Sequence, residues 1–391
     1  MQLGWIDFST QHHQQLRAAL DRLGDRGVLD ELKLGRIRDK IADELFPGIA
    51  TPHTRSKYLF LIPWILADVA RHGKYNTPKE YVRLVHQREI KMIGALVAGS
   101  EESLDGIIGR RAGANLQQKP SATYWSALKA YGLVTGRGSL RDFARRNFPY
   151  WQQKQYGAGF GATPTLPPTG WKTALDIKLT AEEATRLTEY VVKRTGGSLL
   201  SWLLSLPADQ LEPLLLLPEP TGLIGQPGLP AAVEEQLRCA RHYELLFRPA
   251  LLTYNQELLK VNTEYEQDKL EASWGQYEDE RTSLTDSPEL TEKMLAVYPV
   301  DSGTQRFIRD WSSIVLVGKY RSEEAGELVK RREAVVKPGR ARLSDPSLAR
   351  KLKMDDTPGI TLSTDGVWPI FSYRWSNVVN HLKDLKFPAD A

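Results

Sequence analysis

A single cysteine, Cys239, stands among 391 residues, so the chain can close no intrachain disulfide and can build no multi-cysteine metal site. Long apolar runs are missing too. The most hydrophobic stretch, YLFLIPWIL at 58–66, is followed closely by Asp68 and Arg71 and reaches about half of the ~20 residues that a membrane-spanning helix needs. It predicts a buried core helix in a protein without membrane contact. The opening residues, MQLGWIDFSTQHH, show neither a basic n-region nor an apolar h-region, so a cytoplasmic location without a secretory signal is expected. His12 and His13 lack the spacing and company of metal ligands. The glycines around Gly157 lack both the Lys-Ser/Thr tail of a phosphate loop and the strand-to-helix setting of a dinucleotide site. Neither a metal nor a cofactor is therefore expected. Alternation with the period of a strand is scarce, and no internal repeat or low-complexity tract occurs.

What remains is helical. With 41% hydrophobic and 26% charged residues, the chain is long enough for a substantial core and for two or three domains. Helices are predicted over 11–23, 34–45 and 78–97, the second of them stopped by the FPG at 46–48. Another is predicted through 58–65, with Thr51 as its N-cap, Pro52 at N1 and a kink at Pro63. Thr180 with Glu183 reads as a capping box that starts a further helix. Leu237, Ala240, Glu244, Phe247, Leu251, Tyr254 and Leu258 recur in steps of three and four, marking the inner face of a long helix in an intramolecular bundle despite Pro249. An extended crossover is expected at 207–230 and a solvated acidic helix at 264–292. The expected fold class is mainly α: a helical N-terminal domain over 1–156, a Gly/Thr/Pro-rich linker over 157–178 and a C-terminal helical domain over 179–391.

Charge is concentrated in one place. Between 106 and 160 nine basic residues face one acidic residue, Asp142, although the whole chain carries a formal +4. Over 103–150 the pattern reads as a helix-turn-helix with the proportions of a winged helix. A short helix would end near Gly113, Ser121 would cap a second helix reaching Ala130, and Leu133 and Val134 would begin a strand, with Gly136 and Gly138 shaping a wing. Such a unit suits DNA, duplex above all. Arg110, Arg111, Arg137, Arg141, Arg145 and Arg146 would neutralise phosphates, with Lys119 and Lys129 on the same candidate surface, while Ser121 and Thr123, and Gln118 beside them, would lie nearest base edges. RNA is less favoured, since no stacking sheet or RNP motif is present. The competing account is a solvated face, or one that docks an acidic surface of the same protein or of a partner.

Other charged groups have weaker claims. A second basic run at 330–353 holds Lys330, Arg331, Arg332, Lys337, Arg340, Arg342, Arg350, Lys351 and Lys353 against Glu333 and Asp345. It is expected to pair with the acidic helix at 264–292 in preference to extending a binding surface. Around 30–57, Asp30, Glu31, Arg36, Arg38, Asp39, Asp43, Arg55 and Lys57 mix both signs. Asp39 and Asp43 lie at i,i+4 and could serve a metal-dependent nuclease, but a structural salt-bridge network is the expected use of this cluster. No catalytic residue is assigned, and the expected role is binding.

Several long motifs carry a resemblance. GWIDFS at 4–9, DELKLGRIRDKIADELFPGIATPHTRSKYLFLIPWI at 30–65, IIGRRAG at 107–113 and KPSATYW at 119–125 resemble the bacterial domain-of-unknown-function family six-three-six-one. The likeness continues through LTAEEA at 179–184, LLTYNQEL at 251–258, RARL at 340–343 and YRW at 373–375. Ile49, Ala50 and Lys57 stand where that pattern would have Thr, Ser and Arg. The resemblance implies a setting in antiphage defence gene clusters, beside a helicase and a phospholipase-D-like nuclease. It thereby implies a non-catalytic subunit that brings such a partner to DNA, the rival being a protein-binding scaffold with no nucleic-acid contact.

Overall fold

The computed structural model of the chain describes residues 31–100, 103–161, 166–261, 267–281, 288–345, 347 and 372–388. The helix expected at 11–23, with His12 and His13, and the basic residues Arg350, Lys351 and Lys353 fall outside them. Among the described residues there are fourteen α-helices, and the one β pairing is an isolated bridge between Val134 and Phe160. The protein is mainly helical, as its periodicity implied. It divides into two compact units: one takes residues up to Ala42, Pro218–Pro227 and Glu234–Tyr373, and the other takes Asp43–Leu217, Gly228–Val233 and the residues from Arg374 on.

Helix α1 (Gly35–Leu45) buries Ile37, Ile41 and Leu45 at steps of four, and the FPG ends it as expected. Gly48 sits at φ +85°, and a Cβ there would lie 2.8 Å from the Tyr131 ring, so only glycine fits both the turn and the space. The next helix, α2 (Tyr58–His72), starts seven residues later than its expected cap: Thr51 and Pro52 form a turn, and the segment from His53 to Lys57 is held by side chains. Residues Tyr58 to Leu66 are buried on every side, and Pro63 sits inside the helix. Their burial explains why the run is continuous and not amphipathic.

Helix α3 (Pro78–Gly99) is capped by Thr77, whose hydroxyl accepts from the Glu80 N–H, with Pro78 at the first position. Helices α4 (Pro120–Ala130) and α5 (Leu140–Gln152) follow, α5 opening with a capping box between Ser139 and Asp142. α2 packs against α3 and α4, and α3 packs against α5. Tyr81, Phe143 and Trp151 stack into the seam, with Tyr81 and Trp151 centroids 4.5 Å apart.

This arrangement departs from the expected winged helix. Residues 103–119 form turns and one 3-10 turn in place of a first helix, and past Leu133 and Val134, where a strand and wing were expected to begin, the chain enters the helix α5. The extended residues Leu133 and Val134 do pair, through the Thr135 N–H to Gly159 O and the Gly161 N–H to Leu133 O, but as one bridge. The expected linker at 157–178 lies inside the second unit, where the Leu175 N–H donates to Ala95 O and the Ile177 N–H to Ser100 Oγ. Helices α6 (Ala181–Arg194), α7 (Leu199–Ser205) and α8 (Ala208–Leu214) complete this stretch. The Thr180–Glu183 capping box forms as expected, whereas α8 and a 3-10 turn at Pro220–Leu223 occupy the segment expected to be an extended crossover.

The other unit is organised by α9 (Ala231–Val261), with Pro249 inside it. Its expected seam is buried at Leu237, Ala240, Glu244, Phe247, Tyr254 and Leu258, with Leu251 half-buried. Helices α10 (Gln267–Arg281), α11 (Pro288–Val297), α12 (Ser302–Leu316) and α13 (Glu323–Val336) follow. α10 is not merely solvated: Leu270, Trp274 and Tyr277 are buried, the Tyr277 hydroxyl donates to Leu245 O, and Trp274 stacks on Tyr320 at 5.5 Å. Within this unit Glu219, Arg241, Glu244, Arg248 and Glu280 form a largely buried ionic network. Burial and the neighbouring Glu244 push the Glu219 carboxyl up to about 8.

The last helix, α14 (Trp375–Lys386), belongs to the same unit as α2–α8 and packs on α6 and α7. It meets the segment 53–57 through a dense polar clasp. Asp384 accepts from Arg55 Nε at 2.9 Å and from the Ser56 N–H at 2.7 Å, Ser56 Oγ lies 2.7 Å from His381 Nδ1, and Asn377 donates to the carbonyls of Thr51 and His53. His53 accepts from the Ala50 N–H at Nδ1 and reaches Thr123 O with Nε2, which fixes Nε2 as the protonated nitrogen. Its ring stacks on Tyr124 at 4.1 Å. Among the described residues no helix is long and apolar enough to cross a membrane.

Candidate nucleic-acid interface

One face of α3 turns away from the core. Tyr81, Val85, Met92 and Leu96 are buried, so the opposite positions at steps of four, Lys79, Arg83, Gln87 and Lys91, are exposed. Facing them are Arg141 and Arg145, one turn apart on the exposed side of α5, with Lys119 at the entry to α4. Together these side chains line a groove of about 1260 Å³, floored in part by His86 and Ile90.

Six cations and one carboxylate, Glu80, line the groove. Glu80 is occupied by the Asn76 N–H at 2.7 Å, where it helps to close the start of α3. Among the described residues Lys79, Arg83, Lys91 and Arg141 have no ion-pair partner, while Arg145 lies 3.8 Å from the exposed Asp142. The field of these cations is felt by the half-buried His86, whose pKa is lowered first by burial and then by Lys119 and Arg141. A concave wall of low dielectric with one sign of charge concentrates that field.

Beneath the groove, on the inward face of α3, Glu89 is buried and accepts from the N–H and hydroxyl of Ser121. It thereby satisfies the start of α4, which has no side-chain cap of its own. Burial pushes this carboxyl up to about 7, although the Ser121 hydrogen bonds and Lys119 act in the opposite direction. Ser121 itself is buried, and Thr123 is nearly so, its hydroxyl donating to Lys119 O. Neither can reach a base edge, so the positions expected to read sequence instead anchor α4 to α3 and its own first turn.

The expected phosphate contacts divide. Lys119, Arg141 and Arg145 meet in the groove. Arg111, Lys129 and Arg137 are exposed outside its lining, Arg110 is half-buried, and Arg146 turns back to donate to the Arg137 carbonyl. Lys79, Arg83, His86, Gln87 and Lys91 escape a reading of charge density, because they precede the dense segment at 106–160 and are interleaved with Glu80 and Glu89. Their signal was present in the i,i+4 polar row opposite the apolar face of the helix predicted over 78–97.

Five of the six described basic side chains of the second run are engaged within their own unit, and Arg340 is exposed. Lys330 pairs with Glu257 and Glu327, Lys337 and Arg342 with Glu31, and Arg332 donates to Leu32 O and Thr304 Oγ1. These partners lie outside the acidic helix, whose Glu271 pairs with Arg321 and whose Glu280 pairs with Arg241 and Arg248. Asp30 lies outside the described residues and Arg36 is exposed, but the other charges near 30–57 are paired: Glu31 as above, Arg38 with Asp39, Asp43 with Arg374, Arg55 with Asp384 and Lys57 with Glu183. Among the described residues no group of three or more His, Cys, Asp or Glu side chains is placed to hold a metal ion.

A family model described as a family of unknown function, DUF6361, matches residues 1–205, more than half of the chain. The chain belongs to that family. No curated protein and no solved structure matches it. Every residue lining the groove falls inside the DUF6361 match, whereas α14, which closes the clasp on residues 53–57, lies outside it.

Proposed function

We propose that this protein is a non-catalytic nucleic-acid-binding subunit whose basic groove holds a phosphate backbone. The observation that carries the reading is the groove itself, where α3, the start of α4 and α5 bring six cations together against one occupied carboxylate. Cations of like sign repel when they are gathered in one concavity. A polyanion relieves that repulsion and releases its own counterions on binding. On this account the charge is presented by a wall of three helices and not by the wing of a winged helix. The defence setting implied by the resemblance belongs to the same proposal: the subunit would keep DNA in place for a helicase or nuclease partner.

Fluorescence anisotropy with labelled DNA over a salt series tests this reading. Six phosphate contacts predict a log–log slope of roughly −4 to −5, and hence a loss of roughly two to three orders of magnitude in affinity between about 50 and 200 mM salt. Arg83→Glu combined with Arg141→Glu should weaken binding and flatten the slope. Absence of binding to either strand form at about 50 mM salt would sink the proposal.

A further inference from the structure

We infer that the groove takes a single strand of nucleic acid, gripped by its phosphates with the bases turned away from the protein; this rests on the nucleic-acid reading above. Three features of the groove point to it.

The first is shape. Reading a duplex calls for a convex element, a helix or a ribbon, that enters the major groove. The helix start expected to do so is buried: Ser121 donates twice to Glu89, and Thr123 is covered. What the surface offers instead is a concavity of about 1260 Å³. A duplex carries its phosphates on two convex ridges separated by grooves about 12 and about 6 Å wide. One ridge could touch one wall, leaving the cations of the other wall unneutralised.

The second is the placement of charge on both sides. Lys79, Arg83 and Lys91 lie along α3, and Arg141 and Arg145 face them from α5. A single backbone lying between two cationic walls is within reach of both. From Lys79 to Lys91 the row advances by three i,i+4 steps, about 18 Å along the helix. That length corresponds to on the order of four nucleotides, the lower end of single-strand site sizes.

The third is the lack of a stacking platform. No tryptophan, tyrosine or phenylalanine lines the groove, and its one aromatic ring, the half-buried imidazole of His86, sits in the floor between the two cationic walls, so the lining offers no row of exposed rings on which successive bases would stack. The grip is on the backbone, tolerant of sequence and steep in salt.

The experiment compares three probes by anisotropy with the full chain: a short oligothymidine, an abasic strand of the same length and a matched duplex. The oligothymidine should bind at least about tenfold more tightly than the duplex, and the abasic strand within about threefold of the oligothymidine. Lys79→Glu with Lys91→Glu should lower affinity for both single strands; both side chains are exposed and unpaired, and circular dichroism checks that the fold is kept. A duplex that binds as well as the single strand, or a strand that loses binding with its bases, overturns this inference while leaving the proposed function standing. Failure of every probe to bind overturns both.

Discussion

Lys57 shows how much one side chain in this chain can be asked to do. Its ammonium lies 2.7 Å from Glu183, with side-chain exposures of 3% and 8%, and Glu183 also accepts the Thr180 N–H that opens α6. Removing the cation leaves a buried carboxylate with only neutral donors. Lys57→Ala is expected to cost about 3–5 kcal/mol in urea denaturation, because breaking one side of a buried pair leaves its partner's desolvation uncompensated. Lys57→Arg keeps the charge and should cost distinctly less, in keeping with the arginine that the family resemblance would place there. Equal losses for the two variants would show that packing around the Lys57 stem, and not the pair, sets the penalty. The salt-bridge reading of the mixed charges near 30–57 was open to sequence reasoning, since unpaired charges are rarely buried. The partners were not, because Asp384 and Glu183 are far away along the chain.

At the scale of elements, α3 and α14 carry the most information. α3 is two-faced: one side is core, the other is the wall of the groove, and Glu89 between them ties the groove to the start of α4. α14 supplies Asn377, His381 and Asp384 to a segment more than three hundred residues earlier. A chain ended at residue 371 should therefore fail to fold its second unit, with the polar atoms of 53–57 left buried and unsatisfied and the faces of α6 and α7 bare. Loss of cooperative thermal unfolding for that unit, by circular dichroism and limited proteolysis, is the expected result. A shortened chain that melts like the full one would show that the clasp is dispensable. The family match ends at residue 205, so its boundary marks where sequence similarity fades and not where a compact unit closes.

For the molecule as a whole, buried titratable groups set opposing limits of pH. Burial holds His53 down at about 3 and His381 at about 4, against 6.5 when exposed, with the charge of His381 adding to the effect on His53 and that of Arg55 to the effect on His381. Their contribution is complete above about 6.5 and is lost as pH falls towards 4, because the unfolded chain then binds protons that the folded one refuses. Glu89 and Glu219 act in reverse. Raised to about 7 and about 8 from 4.5, they favour the folded state below pH 4.5, and that contribution is lost as pH rises through 7 and 8. Between about pH 4.5 and 6.5 the two pairs act against one another, so thermal stability should peak near about pH 5.5 and decline on both sides. His53→Asn with His381→Asn should flatten the acid limb in a series of melts from pH 4.5 to 9. An acid limb as steep as before would assign it to other groups.

The sequence by itself determined the local grammar of this protein. Hydrophobic periodicity placed α3 and α9 and the buried run of α2, the FPG and the Thr180 capping box placed their own boundaries, and charge density led to one wall of the groove. Those features are properties of a few consecutive residues, which is why they can be read without a fold. Tertiary structure alone decided which charges remain free. It paired Lys330, Lys337 and Arg342 with Glu257, Glu327 and Glu31, buried Ser121 against Glu89 of α3 and covered Thr123, and left Lys79, Arg83 and Lys91 facing Arg141 and Arg145 across a concavity. Pairing and burial depend on residues that are neighbours only in space, and a count of charge along the chain is blind to both.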